Sequence, residues 1–311
     1  HRLTASRHQR LGADGGVKLD LRGRRWTRPV NKGNRIADEQ GDIQETVTVG
    51  GRYKKSFDVR SGALMVGVAY RWNRYANNRT TASTLPGVSE SNTQSEDYDS
   101  PRLKAGLSWN TTPTTRLLLQ GRYSDFRYQW AGSSLSSHDA ALLAGIAWEP
   151  DGAVSARILA GPLRKDFDSS QMDSREITYW DGGVFFLLGQ RTRLDLGSRR
   201  RFEEGSELDV GKIRQSVTER TTHRARLSHR LTPRVRIAVG YLNRIKEYRG
   251  GVTNGGRNDI SIRFLNIVRE LSENFDIGLE LREKRNDSTF PDASYTRRAF
   301  FLTLQYRSQG W

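Results

Sequence analysis

Fourteen stretches of this chain alternate apolar and polar residues, and the connections between them alternate too, one short turn and then one long polar loop. In Leu64-Met65-Val66-Gly67-Val68-Ala69-Tyr70-Arg71-Trp72-Asn73, one face of a strand takes Leu64, Val66, Val68, Tyr70 and Trp72. The other takes Met65, Gly67, Ala69, Arg71 and Asn73, because successive side chains of a strand point to opposite faces. One face suits lipid and the other suits water.

Period-two runs bounded by turn residues place strands near Val17 to Trp26, Ile43 to Tyr53, Ala63 to Tyr75, Arg102 to Asn110, Arg116 to Tyr128, Ala140 to Trp148 and Ala153 to Leu163. The second half repeats the pattern near Trp180 to Leu188, Thr192 to Phe202, Ser216 to Leu231, Arg234 to Tyr248, Asn258 to Arg269, Phe275 to Lys284 and Tyr295 to Arg307. Thr111 to Thr115, Glu149 to Gly152, Gly189-Gln190, Thr232-Pro233 and Glu270 to Asn274 read as tight turns. Asn77 to Pro101, Gln129 to Asp139, Arg164 to Tyr179, Glu203 to Gln215, Arg249 to Arg257 and Arg285 to Ser294 read as long polar loops. Short periplasmic turns opposite long outer loops are the habit of outer-membrane barrels. A soluble sandwich has no reason to segregate loop length, and its strands average five or six residues. Trp109 and Trp148 stand beside tight turns, with Trp72, Tyr75, Tyr123 and Tyr248 toward the opposite strand ends, where aromatic girdles belong.

The expected fold is therefore all-β: a single domain over residues 1–311, an antiparallel transmembrane up-and-down β-barrel of at least 14 strands. Arg2 to Leu11, followed by the turn-like Gly12-Ala13-Asp14-Gly15-Gly16, reads as a fifteenth strand. Bacterial barrels are even-numbered, so the expectation is 16 or 18 strands with at least one upstream of His1. The chain opens at His1 without Met or a charged-then-apolar leader, so a secretory signal, if one existed, is expected to have been removed or to lie outside this sequence.

Other membrane and redox classes fall away on composition. Hydrophobic residues make up 35% and mean hydropathy is −0.72, with no apolar run near the ~20 residues a membrane helix needs. Barrels escape that test because only every second strand residue need be apolar. The absence of cysteine removes disulfides and thiolate chemistry.

Net charge is +16. If the apolar face of each strand meets lipid, the opposite face holds Arg52, Arg71, Arg122, Arg157, Arg193, Arg199, Arg220, Arg224, Arg226, Arg234, Arg236, Arg263 and Arg282, together with Arg22, Arg24, Lys104, Arg201 and Arg244. A basic side chain turned to lipid at the midplane costs roughly 2–4 kcal/mol. Turning even half of them outward would exceed the stability of a typical fold, so these residues are expected to line the interior. Acids on that face are fewer: Asp20, Asp195, Asp276 and Glu280. A positive lumen concentrates anions, whereas a structural ladder of Arg–carboxylate pairs is the alternative. Arg220, Arg224, Arg226, Arg234 and Arg236 are expected to crowd one wall near the turn-side mouth. A nucleic-acid binder would cluster its basic residues on one accessible face among aromatics; here they are spread at period two along nearly every strand, so nucleic acid is not expected as a partner.

No residue set calls for a cofactor, a metal or catalysis. Ser137, His138 and Asp139 have hydrolase residue types, but a triad needs convergence in space that adjacent residues do not supply. Glu96, Asp97 and Asp99 read as a solvated acidic loop before they read as a cation site.

Three stretches carry a resemblance: Tyr179 to Arg201 (YWDGGVFFLLGQRTRLDLGSRRR), Arg224 to Tyr241 (RARLSHRLTPRVRIAVGY) and Tyr295 to Arg307 (YTRRAFFLTLQYR). They resemble the outer-membrane β-barrel porin family associated with exopolysaccharide biosynthesis and export, the EpsL-like proteins. The resemblance implies a barrel in the outer membrane of a Gram-negative bacterium, no enzyme, that helps an anionic secreted polysaccharide cross or assemble, in contact with membrane lipid and with periplasmic export proteins. A general anion-selective porin, or a scaffolding barrel, is the alternative expectation.

Overall fold

The computed structural model describes residues 2–12, 14–27, 43–58, 62–76, 80–81, 91–92, 97–129, 133–150, 152–170, 172–203, 217–249, 255–290 and 293–306. The strands are β1 (Arg2–Leu11), β2 (Gly15–Thr27), β3 (Ile43–Asp58), β4 (Gly62–Tyr75), the two-residue β5 (Thr80–Thr81) and β6 (Ser91–Asn92), β7 (Tyr98–Thr112), β8 (Thr115–Tyr128) and β9 (Ser137–Trp148). They continue as β10 (Val154–Phe167), β11 (Arg175–Leu188), β12 (Thr192–Glu203), β13 (Val217–Thr232), β14 (Val235–Arg249), β15 (Arg257–Glu270), β16 (Phe275–Ser288) and β17 (Tyr295–Tyr306). Fifteen of them form one antiparallel sheet in chain order, and β5 pairs with β6 apart from it. The expected fifteenth strand is present: Arg2 to Leu11 pairs with Gly15 to Arg24.

Up-and-down order puts the first and last of fifteen strands in the same sense. Its edges, β1 and β17, therefore do not suit one another as antiparallel partners, and an odd number of further strands is needed to close such a sheet into an all-antiparallel ring.

The two faces differ as the alternation requires. Asn73, Ser100, Gln120, Leu143, Leu159 and Ala238 are buried on the enclosed face, while Val68, Leu119, Leu142, Ile158 and Val239 are exposed on the other. Trp109 and Trp148 lie on this outward apolar face beside the tight turns. Tyr75 and Tyr248, expected in the opposite girdle, are instead 5% and 3% exposed on the enclosed face: register sets them beside Gln44 and Thr218, with the inward residues.

The wall is not uniform. Leu143, Leu159, Leu163, Ile177, Tyr179, Phe202 and Val217 form a dry cluster along β9 to β13. There the β9–β10 register is unchanged between Ala160↔Ala144 and Leu163↔Ala141, but the ladder is interrupted at the two positions between, Gly161 and Pro162, where a strand tolerates a residue without N–H.

Near the long-loop ends, the outward face changes from apolar to charged, and several of these charges meet their opposite on the same or the next strand. Arg74 pairs with Asp99 at 2.5 Å, Arg127 with Asp125 at 2.7 Å, Arg164 with Asp166 at 2.7 Å, Arg200 with Glu219 at 2.9 Å and Arg298 with Glu283 at 2.9 Å.

Candidate functional site

The hydrogen-bonded ladder carries one basic row across the enclosed face. Arg52 stands opposite Gly67, Gly67 opposite Lys104, and Lys104 opposite Arg122. Arg71 is on the same face of β4 as buried Asn73, and Arg157 on the same face of β10 as buried Leu159. Further round, Arg199 is opposite Thr222, Gly197 opposite Arg224 and Asp195 opposite Arg226, with Arg193 and Arg220 in the same phase. Arg226 is opposite Gly240, Gly240 opposite Phe264, and Phe264 opposite Arg282. Arg236 pairs with Arg230 next to the turn.

Two arginines depart from the expected placement. Arg263 lies on the outward face: its neighbours are Tyr241 and Glu283, while Ile260 and Phe264 take the inner positions, the Phe264 ring lying over Gly240 where a Cβ would be 2.3 Å from it. The β15 sequence has apolar residues in both phases, so alternation alone does not choose between them. Arg234 is in the turn that precedes β14, which begins at Val235. The expected crowd of five is thus strung out instead. Arg220 sits at the loop end of β13 beside Glu203, Arg224 and Arg226 lie mid-strand, and Arg236 sits near the turn.

The inward arginines divide by partner. Arg193 meets Asp195 at 2.7 Å and lies 4.8 Å from the centre of the Phe185 ring. Arg199 pairs with Asp181, Arg220 with Glu203, which Lys246 also approaches at 3.6 Å, and Arg282 with Glu280. These form the ladder that carboxylates can supply. Arg52, Arg71, Arg122, Arg157, Arg201, Arg224, Arg226 and Arg236 make no ion pair among the described residues.

Five arginines meet at a cavity of about 460 Å³ that walls from β2 to β12 enclose: Arg24, Arg71, Arg102, Arg122 and Arg201, with Asn73, Tyr98, Ser124, Phe126, Asp139, Ala141, Leu163, Tyr179 and Glu203. Aromatic rings hold the guanidinium groups. The Arg71 carbon lies 5.8 Å from the Tyr98 centroid, Arg102 5.6 Å from Phe126, and Arg122 4.8 Å from Tyr179, within the range of cation–π attraction. Arg122 also donates to the Tyr179 hydroxyl at 2.6 Å. The Nε–H groups of Arg71, Arg122 and Arg201 are buried and meet no acceptor among the described residues. Asp139 accepts from Lys165 at 3.0 Å, so both cavity acids already serve other bases. Arg102 and the three rings were not singled out in the sequence. The available signal was aromatic residues in the polar phase of β7, β8 and β11, each four positions from an inward arginine.

The remaining candidates separate. Ser137, His138 and Asp139 belong to β9 rather than to a loop, which turns His138 to the outward face at 3.6 Å from Asp166 while Ser137 and Asp139 point inward. Asp97 accepts the Tyr75 N–H at 2.8 Å and Asp99 is paired with Arg74; Glu96 lies outside the described residues.

A single antiparallel up-and-down wall with an apolar outward band, aromatic residues by its short turns and a polar enclosed face defines an outer-membrane β-barrel channel. The chain matches the family described as "Putative beta-barrel porin 2" over residues 25–308, and it belongs to that family. Solved structures similar to it include the FrpB iron transporter from Neisseria meningitidis (F5-1 variant), at 11% identity and TM-score 0.58, covering 99% of this chain and 58% of that one. The outer membrane channel DcaP of Acinetobacter baumannii matches at 15% identity and TM-score 0.46, covering 96% of this chain and 99% of that one. The chain spans little more than half of the iron transporter, and at these identities the likeness is one of fold. No protein in the curated set matches.

Proposed function

We propose that the enclosed face is the arginine-rich lumen of an anion-preferring outer-membrane channel. On the resemblance to the exopolysaccharide-associated porins, its cargo is an anionic secreted polysaccharide, delivered by periplasmic export proteins. The observation that carries the reading is the set of inward arginines left over once the inward acids are paired. A fixed cation without a counterion in a low-dielectric wall is costly and is relieved by mobile anions that screen it. The same field raises the local concentration of anions and repels cations. Weak exchange of guanidinium contacts lets an anion enter without trapping it.

Reversal potentials of the protein in planar bilayers under a potassium chloride gradient test this. The expected sign is that of chloride preference, and charge reversal at both Arg224 and Arg226 moves it toward potassium. A preference for potassium in the unaltered protein overturns the reading. A barrel that never conducts favours the scaffold, in which the Arg193–Asp195, Arg199–Asp181 and Arg282–Glu280 pairs serve only to stiffen the wall.

A further inference from the structure

We infer that the cavity between Arg71, Arg122 and Arg201 is a saturable binding site for one carboxylated sugar residue, not merely a positive stretch of pore. The inference rests on the anion-channel reading and adds a ligand class to it.

A plain electrostatic filter needs only charge. Lysines on flexible stems or solvated arginines would supply it. Here the charge is held in place: the Arg71 and Arg122 guanidinium carbons lie 5.8 and 4.8 Å from the Tyr98 and Tyr179 ring centres, and the Tyr179 hydroxyl accepts from one Nη of Arg122. Each such restraint is entropy lost before any ligand arrives, which lowers the cost of recognising one. The planar fork that results is suited to the two oxygens of a carboxylate. The Nε–H groups of Arg71, Arg122 and Arg201 are out of reach of water and meet no acceptor among the described residues, which leaves these three guanidinium charges short of compensation inside the wall. A carboxylate seated on the guanidinium groups supplies it.

The rest of the lining narrows the class. Ala141, Leu163 and Phe126 give the cavity an apolar side, and Asn73, Ser124 and Asp139 give it neutral and acidic hydrogen-bonding groups. An inorganic anion has no use for an apolar wall, and a neutral hexose, though its hydroxyl oxygens can accept hydrogen bonds, brings no charge to offset the guanidinium groups. A hexuronate offers a C–H face, several hydroxyls and one carboxylate. At about 460 Å³ the space falls within the usual ~300–1,000 Å³ of small-ligand pockets.

The test is current block by glucuronate in planar bilayers, beside equal concentrations of acetate, benzoate and glucose, with heat of binding of glucuronate to the detergent-solubilised protein as a readout independent of conduction. Glucuronate should block saturably and release heat, while acetate and glucose at the same concentration do neither. Arg122→Lys keeps the charge but loses the plane, and should raise the half-blocking concentration about tenfold; Tyr179→Phe, which removes only the hydroxyl, should fall between. If acetate matches glucuronate, the cavity is a simple filter and the inference is overturned while anion preference stands. If benzoate binds more tightly than glucuronate, the sugar class is wrong. Absence of both block and heat overturns the site. Loss of anion preference in the unaltered channel instead overturns the reading on which it rests.

Discussion

A methyl group added at Gly161 would stand 2.1 Å from the carbonyl oxygen of Leu142, and one at Gly145 1.9 Å from that of Ile158. Backbone has no rotamer by which to retreat, so the β9–β10 ladder itself would have to part. Gly161→Ala is expected to destabilise the barrel by about 1–3 kcal/mol, read as a lower temperature at which the folded band on an unboiled gel converts to the unfolded one. A conversion temperature equal to that of the parent would mean the strands have slack there. At this scale the sequence was legible where only one phase is apolar. Val66, Val68 and Tyr70 left Arg71 no choice of face. It was illegible in β15, where Ile260, Ile262 and Phe264 compete with Leu265 and Ile267, and Arg263 went outward to Glu283. Nor does alternation reveal which inward arginine meets an acid, because Asp181 and Glu203 reach theirs from neighbouring strands.

Strand cores were easier to read than strand ends. β7 begins at Tyr98 and β9 at Ser137, both in stretches that read as loop, because ladder hydrogen bonds continue past the point where one face must be apolar. Asp97 shows what such an end requires. Its carboxylate accepts the last N–H of β4, from Tyr75, and burial raises its pKa above the ordinary 3.8 against the pull of that hydrogen bond and of Arg74. A carboxyl whose folded pKa is raised binds more protons folded than unfolded, so stability falls as pH rises from its unfolded pKa through its folded one. Melting curves between pH 3 and pH 7 should contain this fall. Asp97→Asn retains an acceptor oxygen and should remove that part of the slope; an unchanged slope would assign it to other carboxylates.

Loop-length asymmetry was enough to identify the whole architecture, since it reflects the two unlike compartments that the wall divides. Arg2 to Leu11, though it lacks a continuous apolar face, read as a fifteenth strand and pairs with β2 over its whole length. The parallel edges make a prediction of their own. If a further strand lies between them, the backbones of β1 and β17 are about 10 Å apart, beyond the ~4.4–6.8 Å between Cα atoms that a disulfide spans. The chain has no cysteine of its own, so single cysteines at Thr4, Ser6 or His8 combined with Ala299, Thr303 or Gln305 give an unobstructed assay under oxidation in the membrane. No pair should cross-link. An efficient link from any of them would mean that the edges meet directly.

A wall of this kind obeys the rule of a ring painted in two colours. Where every neighbour is antiparallel, strands that rise and strands that fall alternate all the way round, and the fifteen described strands alone do not permit it. Width can therefore be gained or lost only in matched couples, a riser with its faller, joined by the same turn. The hairpin, rather than the strand, is the unit in which the bore of this channel can be altered.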